Sequence, residues 1–412
     1  MASISSVCRL ASQMVCACAL VAGGAGSAAY ADVVTSTNER AAEIASKLTP
    51  TPFAVRAMAL AQVAVFAAAN AVSQKYTDAH AIPADSGASL DAAVAAANRG
   101  VLLDLVPNER EAIEADYAAA MRAVPDGPAR QRGIALGERA ASAVLAERAD
   151  DRAAMPNAYR PTTAAGVYAP TTLPAVPHWG QRRPWVMSSG RQFRPPPPPG
   201  LGTETWARDY NEIKLMGARQ SEKRTAEQTA SARFWEATAP VVYWHVARSV
   251  AAQAGRDVTA NARLLAVAAM AMDDALIAVF DAKYFYNFWR PITAIRNGDL
   301  DGNDATTRDP EWAPLIDTPM HPEYPCAHCI VASTLGTVLE AEVGDATVPQ
   351  LNSISPLAPD LKRSWRTIPE FVGDVSEARI CDGVHFRNST EVGTDMGRKV
   401  GSLAVERAPQ RK

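Results

Sequence analysis

The sequence predicts an all-α protein made of helical bundles, and three observations carry that reading. Apolar residues recur at steps of three and four along most of the chain with polar residues between them, the mark of helices with one buried face. No stretch alternates β-branched or aromatic residues with polar ones over the length of a strand. Helix breakers such as Pro107 and the run Pro125-Asp126-Gly127 stand between the periodic stretches.

The elements follow in chain order. Residues 1–31 combine Arg9, an apolar core from Met14 to about Ala25, and small residues at Ala29 and Ala31, the pattern that signal peptidase accepts. That core is too short and too rich in Gly and Ala to span a bilayer comfortably. The expectation is therefore a signal peptide cut after Ala31, leaving a mature chain that is periplasmic or secreted. Helical patterns at 38–74, 86–104, 108–124 and 127–149 make an N-terminal helical region over 32–150. From 151 to 203 the composition shifts to Pro, Thr, Gly and Arg, and Arg194 is followed by five prolines and Gly200. Such a run cannot be helical and prefers extended polyproline II geometry, so it reads as a stiff connector packed on the surface. The region 204–412 carries helical patterns at 205–216, 223–238, 240–255 and 259–289, then two more at 326–343 and 388–403 that frame a loop-rich stretch.

Charge and cysteine content narrow the function classes. The 412 residues include 41 Lys and Arg against 44 Asp and Glu, a formal net charge of −3 with no basic run. Nucleic acid, whose phosphates call for a clustered positive surface, is excluded as a partner. Beyond the N-terminus no uninterrupted apolar stretch reaches roughly 18 residues, so no integral membrane segment is expected in the mature chain. Cys8, Cys16 and Cys18 leave with the signal peptide, and Cys326, Cys329 and Cys381 remain.

Three short segments collect polar residues that a bundle does not ordinarily bury together. The first runs from Lys283 to Pro291 and holds five aromatics; a helix through it places Lys283 and Arg290 two turns apart on one face, ending at Arg290 because Pro291 follows. Alone, the pair reads as two snorkelling surface cations. The second segment, Thr318 to Cys329, turns through Pro325 into an apolar helix, whose first turn offers free N–H groups and the positive end of the dipole to an oxyanion. His328 lies in that turn, whereas His321 upstream reads as a core or capping histidine. In the third segment Arg379 and His385 precede a helix in which Asn388 and Glu391 have capping-box-like spacing.

Taken together, Lys283 with Arg290-Pro291, then Pro325 with His328 at a helix start, then Arg379 with His385, resemble the three-part signature of a superfamily. It joins the type 2 phosphatidic acid phosphatases and the vanadium-dependent haloperoxidases. The segment starting at Gln192-Phe193-Arg194 and the run from Ala230 to Trp235 are similar to the soluble bacterial haloperoxidase-like branch, over roughly 180–404. The resemblance implies the helical haloperoxidase fold and an oxyanion cage. Lys283, Arg290 and Arg379 would neutralise vanadate or phosphate, helped by the backbone N–H groups of Ala327 and His328. His385 would be the vanadium ligand, or the nucleophile of a phosphohistidine, and His328 the acid-base group.

The chain departs from the family pattern at several positions. Cys326-Ala327 stands where the family has Ser-Gly, which weakens one oxyanion contact because a thiol donates poorly. Ala378 replaces a Ser, and Ser389 replaces an acid four residues beyond the last His, which removes a means of tuning the His pKa. Export favours a disulfide, and a Cys329–Cys381 bond would tie the second segment to the third. Cys326-x-x-Cys329 with His328 between them and His321 nearby also invites a zinc site completed by Cys381 and a His, but the fit is loose, since His328 adjoins Cys329. The first expectation is a haloperoxidase-like enzyme using vanadate, hydrogen peroxide and halide. The alternative is a soluble exported acid phosphatase acting on a phosphoester without a cofactor, and the third is a non-catalytic helical binding protein with a degenerate pocket.

Overall fold

A computed structural model describes residues 32–412, apart from 78–79, 81, 153–155 and 238–239. The expected signal peptide lies outside the described residues. The N-terminal helices are α1 (Val33–Ala45), α2 (Thr51–Ser73), α3 (Leu90–Leu105), α4 (Arg110–Met121) and α5 (Pro128–Glu147). The single pattern expected over 38–74 is thus two helices. Asp32 caps α1 by accepting the Thr35 N–H, and Pro50 and Pro52 stand at the start of α2, where proline costs no helical hydrogen bond. α2 is long and apolar enough to cross a membrane, but 94% of its most apolar window is buried within the protein.

Beyond the Pro-rich segment come α6 (Glu204–Met216), α7 (Ala226–Phe234), α8 (Val241–Ala251), α9 (Val258–Tyr286), α10 (Pro291–Arg296), α11 (Ala327–Val343), α12 (Ile368–Cys381) and α13 (Arg387–Glu406). The stretch expected to be loop-rich holds α12, which starts with a Thr367/Glu370 capping box, and one antiparallel hairpin, β1 (Leu351–Ser355) with β2 (Ala358–Trp365). The chain is nonetheless dominated by helix, 58% against 5% strand. The hairpin's outer face is largely exposed, and its β2 strand is mostly polar, so it lacks the alternation that marks a strand in sequence.

α9 is the axis. α2, α8, α11 and α13 pack around it, and one continuous apolar core runs from α1–α3 through α9 to α11–α13. The Pro-rich segment is fastened to the polar side of α9. Asp274 accepts the N–H groups of Trp185 (2.7 Å), Val186 (2.8 Å) and Met187 (3.0 Å), and Arg194 grips Asp281 with two bonds of 2.8 and 2.9 Å. A buried Arg56 on α2 joins Asp273 on α9 at 2.6 Å and also pairs with Asp151.

α13 meets α11 through a stripe of glycines. A Cβ at Gly393 would lie 2.7 Å from the Cys326 carbonyl oxygen, and one at Gly397 would lie 2.5 Å from that of Ile330. The stripe lets two helices approach backbone to backbone, and it brings the turn before α13 against the start of α11.

Candidate active site

Two chain reversals and one helix start converge beside α9. Lys283 lies in the last turn of α9, which ends at Tyr286 with Asn287 in the left-handed conformation. The helix therefore stops four residues short of Arg290, and Arg290 instead precedes α10, with Pro291 as the first residue of that helix. The expectation that both cations share one helical face is corrected: the reversal at Asn287 brings them together. Both are fully buried, not snorkelling on the surface.

Each cation is held by backbone carbonyls. Lys283 Nζ donates to Pro322 O (3.0 Å) and Glu323 O (2.7 Å). Arg290 donates from Nε to His321 O (2.9 Å) and from Nη1 to Val384 O (2.8 Å). Arg379, expected in a loop, sits in the last turn of α12, where its Nη1 donates to Trp235 O (2.7 Å) and lies 2.8 Å from Asp382 Oδ2. Burial, with the charge of Arg290, holds Lys283 well below its ordinary pKa, and burial lowers Arg290 to about 10.

His385 stands in the turn between α12 and α13 with its two ring nitrogens in opposite environments. Nδ1 is 2.8 Å from Glu323 Oε1 and 3.4 Å from Ser389 Oγ, whereas Nε2 is 3.4 Å from Arg290 Nη1. A guanidinium can only donate and a carboxylate accepts, so the ring proton belongs on Nδ1 and the lone pair on Nε2. Burial and the three cations keep His385 well below its ordinary pKa, while burial pushes Glu323 up to about 7 against the pull of Lys283 and Arg290.

The acid missing at Ser389 is thus supplied from the second segment. Glu323 Oε1 also accepts the Phe386 N–H (3.1 Å). Sequence spacing gave no sign of this, because Glu323 is 62 positions from its histidine. Asp382 was also missed, although Arg379-x-x-Asp382 is a helical i, i+3 pair that could have been noticed.

His328 occupies the first turn of α11, with Ala327 before it. No earlier carbonyl of the helix can reach their N–H groups. Its ring hydrogen-bonds the Ala237 backbone; burial and Arg379 keep its pKa well below the ordinary value. His321, expected to be a bystander, belongs to the same cluster: its Nδ1 lies 2.9 Å from Arg290 Nη2 and its ring packs edge-on to Phe280.

The cysteines are arranged otherwise than expected. Cys326 bonds Cys329 within the first turn of α11, their Cα atoms 5.4 Å apart, and Cys381 is a free buried thiol in a separate apolar cluster. The Cys329–Cys381 pairing does not form, since residues three apart at a helix start already lie within disulfide range. Cys326 has no thiol hydrogen to offer an oxyanion; its Sγ accepts the Cys329 N–H at 3.1 Å. The bond also removes both thiolates from any zinc site, and among the described residues no group of three His, Cys, Asp or Glu is placed to hold a metal ion. The Asn388/Glu391 capping box is absent too: Asn388 N–H goes to Asp209 Oδ2 on α6 at 2.8 Å.

Arg379 Nε and His328 Nε2 are buried and have no hydrogen-bond partner among the described residues. Buried polar atoms are normally paired, and a tetrahedral oxyanion among Lys283, Arg290 and Arg379 would pair these. The donor set therefore fits phosphate or vanadate, and the lone pair of His385 Nε2, which lies 3.4 Å from Arg290 Nη1, is the one that would bond its central atom. A cavity of about 460 Å³ adjoins the cluster, lined in part by His321, Ala327, His328, Arg379 and His385.

Residues 263–411 match the family described as the VCPO second helical-bundle domain. The chain is similar to the crystal structure of a bacterial vanadium-dependent iodoperoxidase, with TM-score 0.77 and 22% identity over 92% of this chain and 96% of that one. It is also similar to a holo-type bacterial vanadium-dependent chloroperoxidase, with TM-score 0.71 and 18% identity over 87% of this chain and 91% of that one. No curated sequence matches the chain. The chain therefore shares the helical fold of these two structures.

Proposed function

We propose that this chain, carrying the fold of the bacterial vanadium-dependent haloperoxidases, is an exported enzyme that binds vanadate among Lys283, Arg290, Arg379 and His385 and uses hydrogen peroxide to oxidise a halide. One observation carries the reading: three buried cations surround a histidine whose Nε2 lone pair faces Arg290 and whose Nδ1 is backed by a carboxylate. The disulfide within α11 supports an oxidising compartment, in keeping with an export signal at residues 1–31.

Bound vanadate supplies a Lewis-acidic centre that makes peroxide oxygen electrophilic towards halide. The protein's part is to hold charge and move protons. Lys283, Arg290 and Arg379 neutralise the oxyanion in a site screened from water, where charge-assisted hydrogen bonds are strong. The first-turn N–H groups of Ala327 and His328 add the positive end of α11. Glu323 holds the proton on His385 Nδ1, which keeps Nε2 available as a ligand and raises its basicity. His328 is neutral near pH 7, so its unpaired Nε2 can take a proton from incoming peroxide and return it to a leaving oxygen.

The test adds orthovanadate to purified apoprotein and follows peroxide-dependent bromination of a dye beside hydrolysis of p-nitrophenyl phosphate. Bromination that requires vanadate, bromide and peroxide together is expected. Robust phosphate release without bromination would assign the same residues to an acid phosphatase working through His385. In the same assay His385→Ala is expected to abolish turnover. His328→Ala should impair turnover severely while oxyanion binding persists, and wild-type activity in either variant would refute the assigned roles.

A further inference from the structure

The cavity above the cation cluster has walls unlike its floor. The floor is polar, formed by His321, His328, Arg379 and His385. Its walls are apolar and come from both halves of the chain: Pro52 and Val55 of α2, Trp244 of α8, and Met272, Leu276 and Phe280 of α9. Among the described residues no Asp, Glu or Lys lines it, and Arg379 is the only permanent charge. Met320, 47% exposed, lines it where it opens to solvent. Halide and peroxide are small and polar and need none of this apolar surface. At about 460 Å³ the cavity falls within the range of roughly 300–1,000 Å³ typical of sites for small organic ligands.

We propose that this cavity binds the organic acceptor of the reaction, an uncharged, electron-rich aromatic molecule of about two fused rings, and that the acceptor is halogenated there, before the oxidised halogen escapes to solvent. The rings of Trp244 and Phe280 offer edge and face contacts to an aromatic guest, and the sulfurs of Met272 and Met320 favour the same partner. A cationic acceptor would be desolvated against these walls with no carboxylate to pair it, and an anionic one would meet the oxyanion that Arg379 is proposed to hold. The net reaction is R–H + X⁻ + H₂O₂ + H⁺ → R–X + 2 H₂O. The O–O bond breaks as peroxide accepts two electrons from the halide. The carbon–halogen bond replaces a carbon–hydrogen bond, whose proton joins one from solvent in the second water. The proposal rests on the haloperoxidase reading for its chemistry but not for its binding step.

The experiment is therefore a binding measurement without vanadate, halide or peroxide. Titration of the full chain with 2-naphthol, followed by tryptophan fluorescence and calorimetry, is expected to show saturable binding, and the cationic (6-hydroxynaphthalen-2-yl)trimethylammonium at least tenfold weaker binding. Leu276→Trp, which fills the cavity, and Met320→Glu, which charges its opening at an exposed position, should each weaken 2-naphthol at least tenfold, with thermal melting confirming that both are folded. No saturable binding to the wild type, or binding unchanged in both folded variants, overturns the proposal. Saturable naphthol binding alongside failed bromination would leave the acceptor cavity standing and remove the haloperoxidase chemistry, so the two failures are distinguishable.

Discussion

At His385 the decisive contact is on the ring edge turned away from the cations. Glu323 fixes the Nδ1 proton there, and nothing near it in sequence announces that role. Replacing Glu323 with Gln is expected to lower orthovanadate affinity by about 10–100-fold, as for other carboxylates behind a ligating histidine. The same change has a signature in stability. Glu323 titrates at about 7 when folded against 4.5 when free, so between those values the native state takes up its proton first and acidification is stabilising. Three neighbouring histidines act the other way. His321, His328 and His385 are held well below 6.5, so as pH falls through 6.5 the unfolded chain binds protons that the native state refuses, and stability is lost. Glu323→Gln removes the opposing contribution. Its melting temperature should therefore fall more steeply than that of the wild type between pH 7 and 4.5, and parallel profiles would show that Glu323 does not titrate as described.

Helices deliver these residues to one place by their ends. Lys283 leaves from the C-terminal turn of α9, Arg379 from that of α12, and His328 from the first turn of α11. The separation of His328 from His385, which stands in the turn before α13, depends on how closely α11 and α13 pack, and that closeness depends on glycine. At Gly397 any side chain meets the Ile330 carbonyl oxygen, 2.5 Å from where a Cβ would stand. Gly397→Leu is expected to destabilise the protein by about 1–3 kcal/mol through overpacking. Urea unfolding measures this directly, and an unchanged midpoint would mean that the helices have room to part. Helix ends were also where sequence periodicity was least informative. It placed α6, α9 and α11 to within a few residues, yet it ran α9 on to 289 through the reversal at Asn287, because aromatic residues keep an apolar pattern whether the chain is helical or turning. It missed α12, whose buried Phe371, Val375 and Ala378 stand among charged and polar neighbours that dilute the signal.

Across the whole molecule the N-terminal helices and the cation-bearing helices share one core, and α2 walls the cavity above the site. Unfolding should accordingly be a single cooperative transition, with near-ultraviolet and far-ultraviolet circular dichroism coinciding; two separated steps would contradict a shared core. The sequence by itself determined the helical class, the order of the three polar segments, and five of the residues that meet at the site: Lys283, Arg290, His328, Arg379 and His385. These are written in local periodicity and in spacings of a few residues, which a linear reading captures. Only the tertiary structure decided that Glu323 and His321 join them, that Cys326 bonds Cys329 and leaves Cys381 alone, and that an apolar cavity stands over the cations. Those outcomes are contacts between segments far apart in the chain or choices among nearby partners, and the packing of α2, α9, α11 and α13 is what selects them.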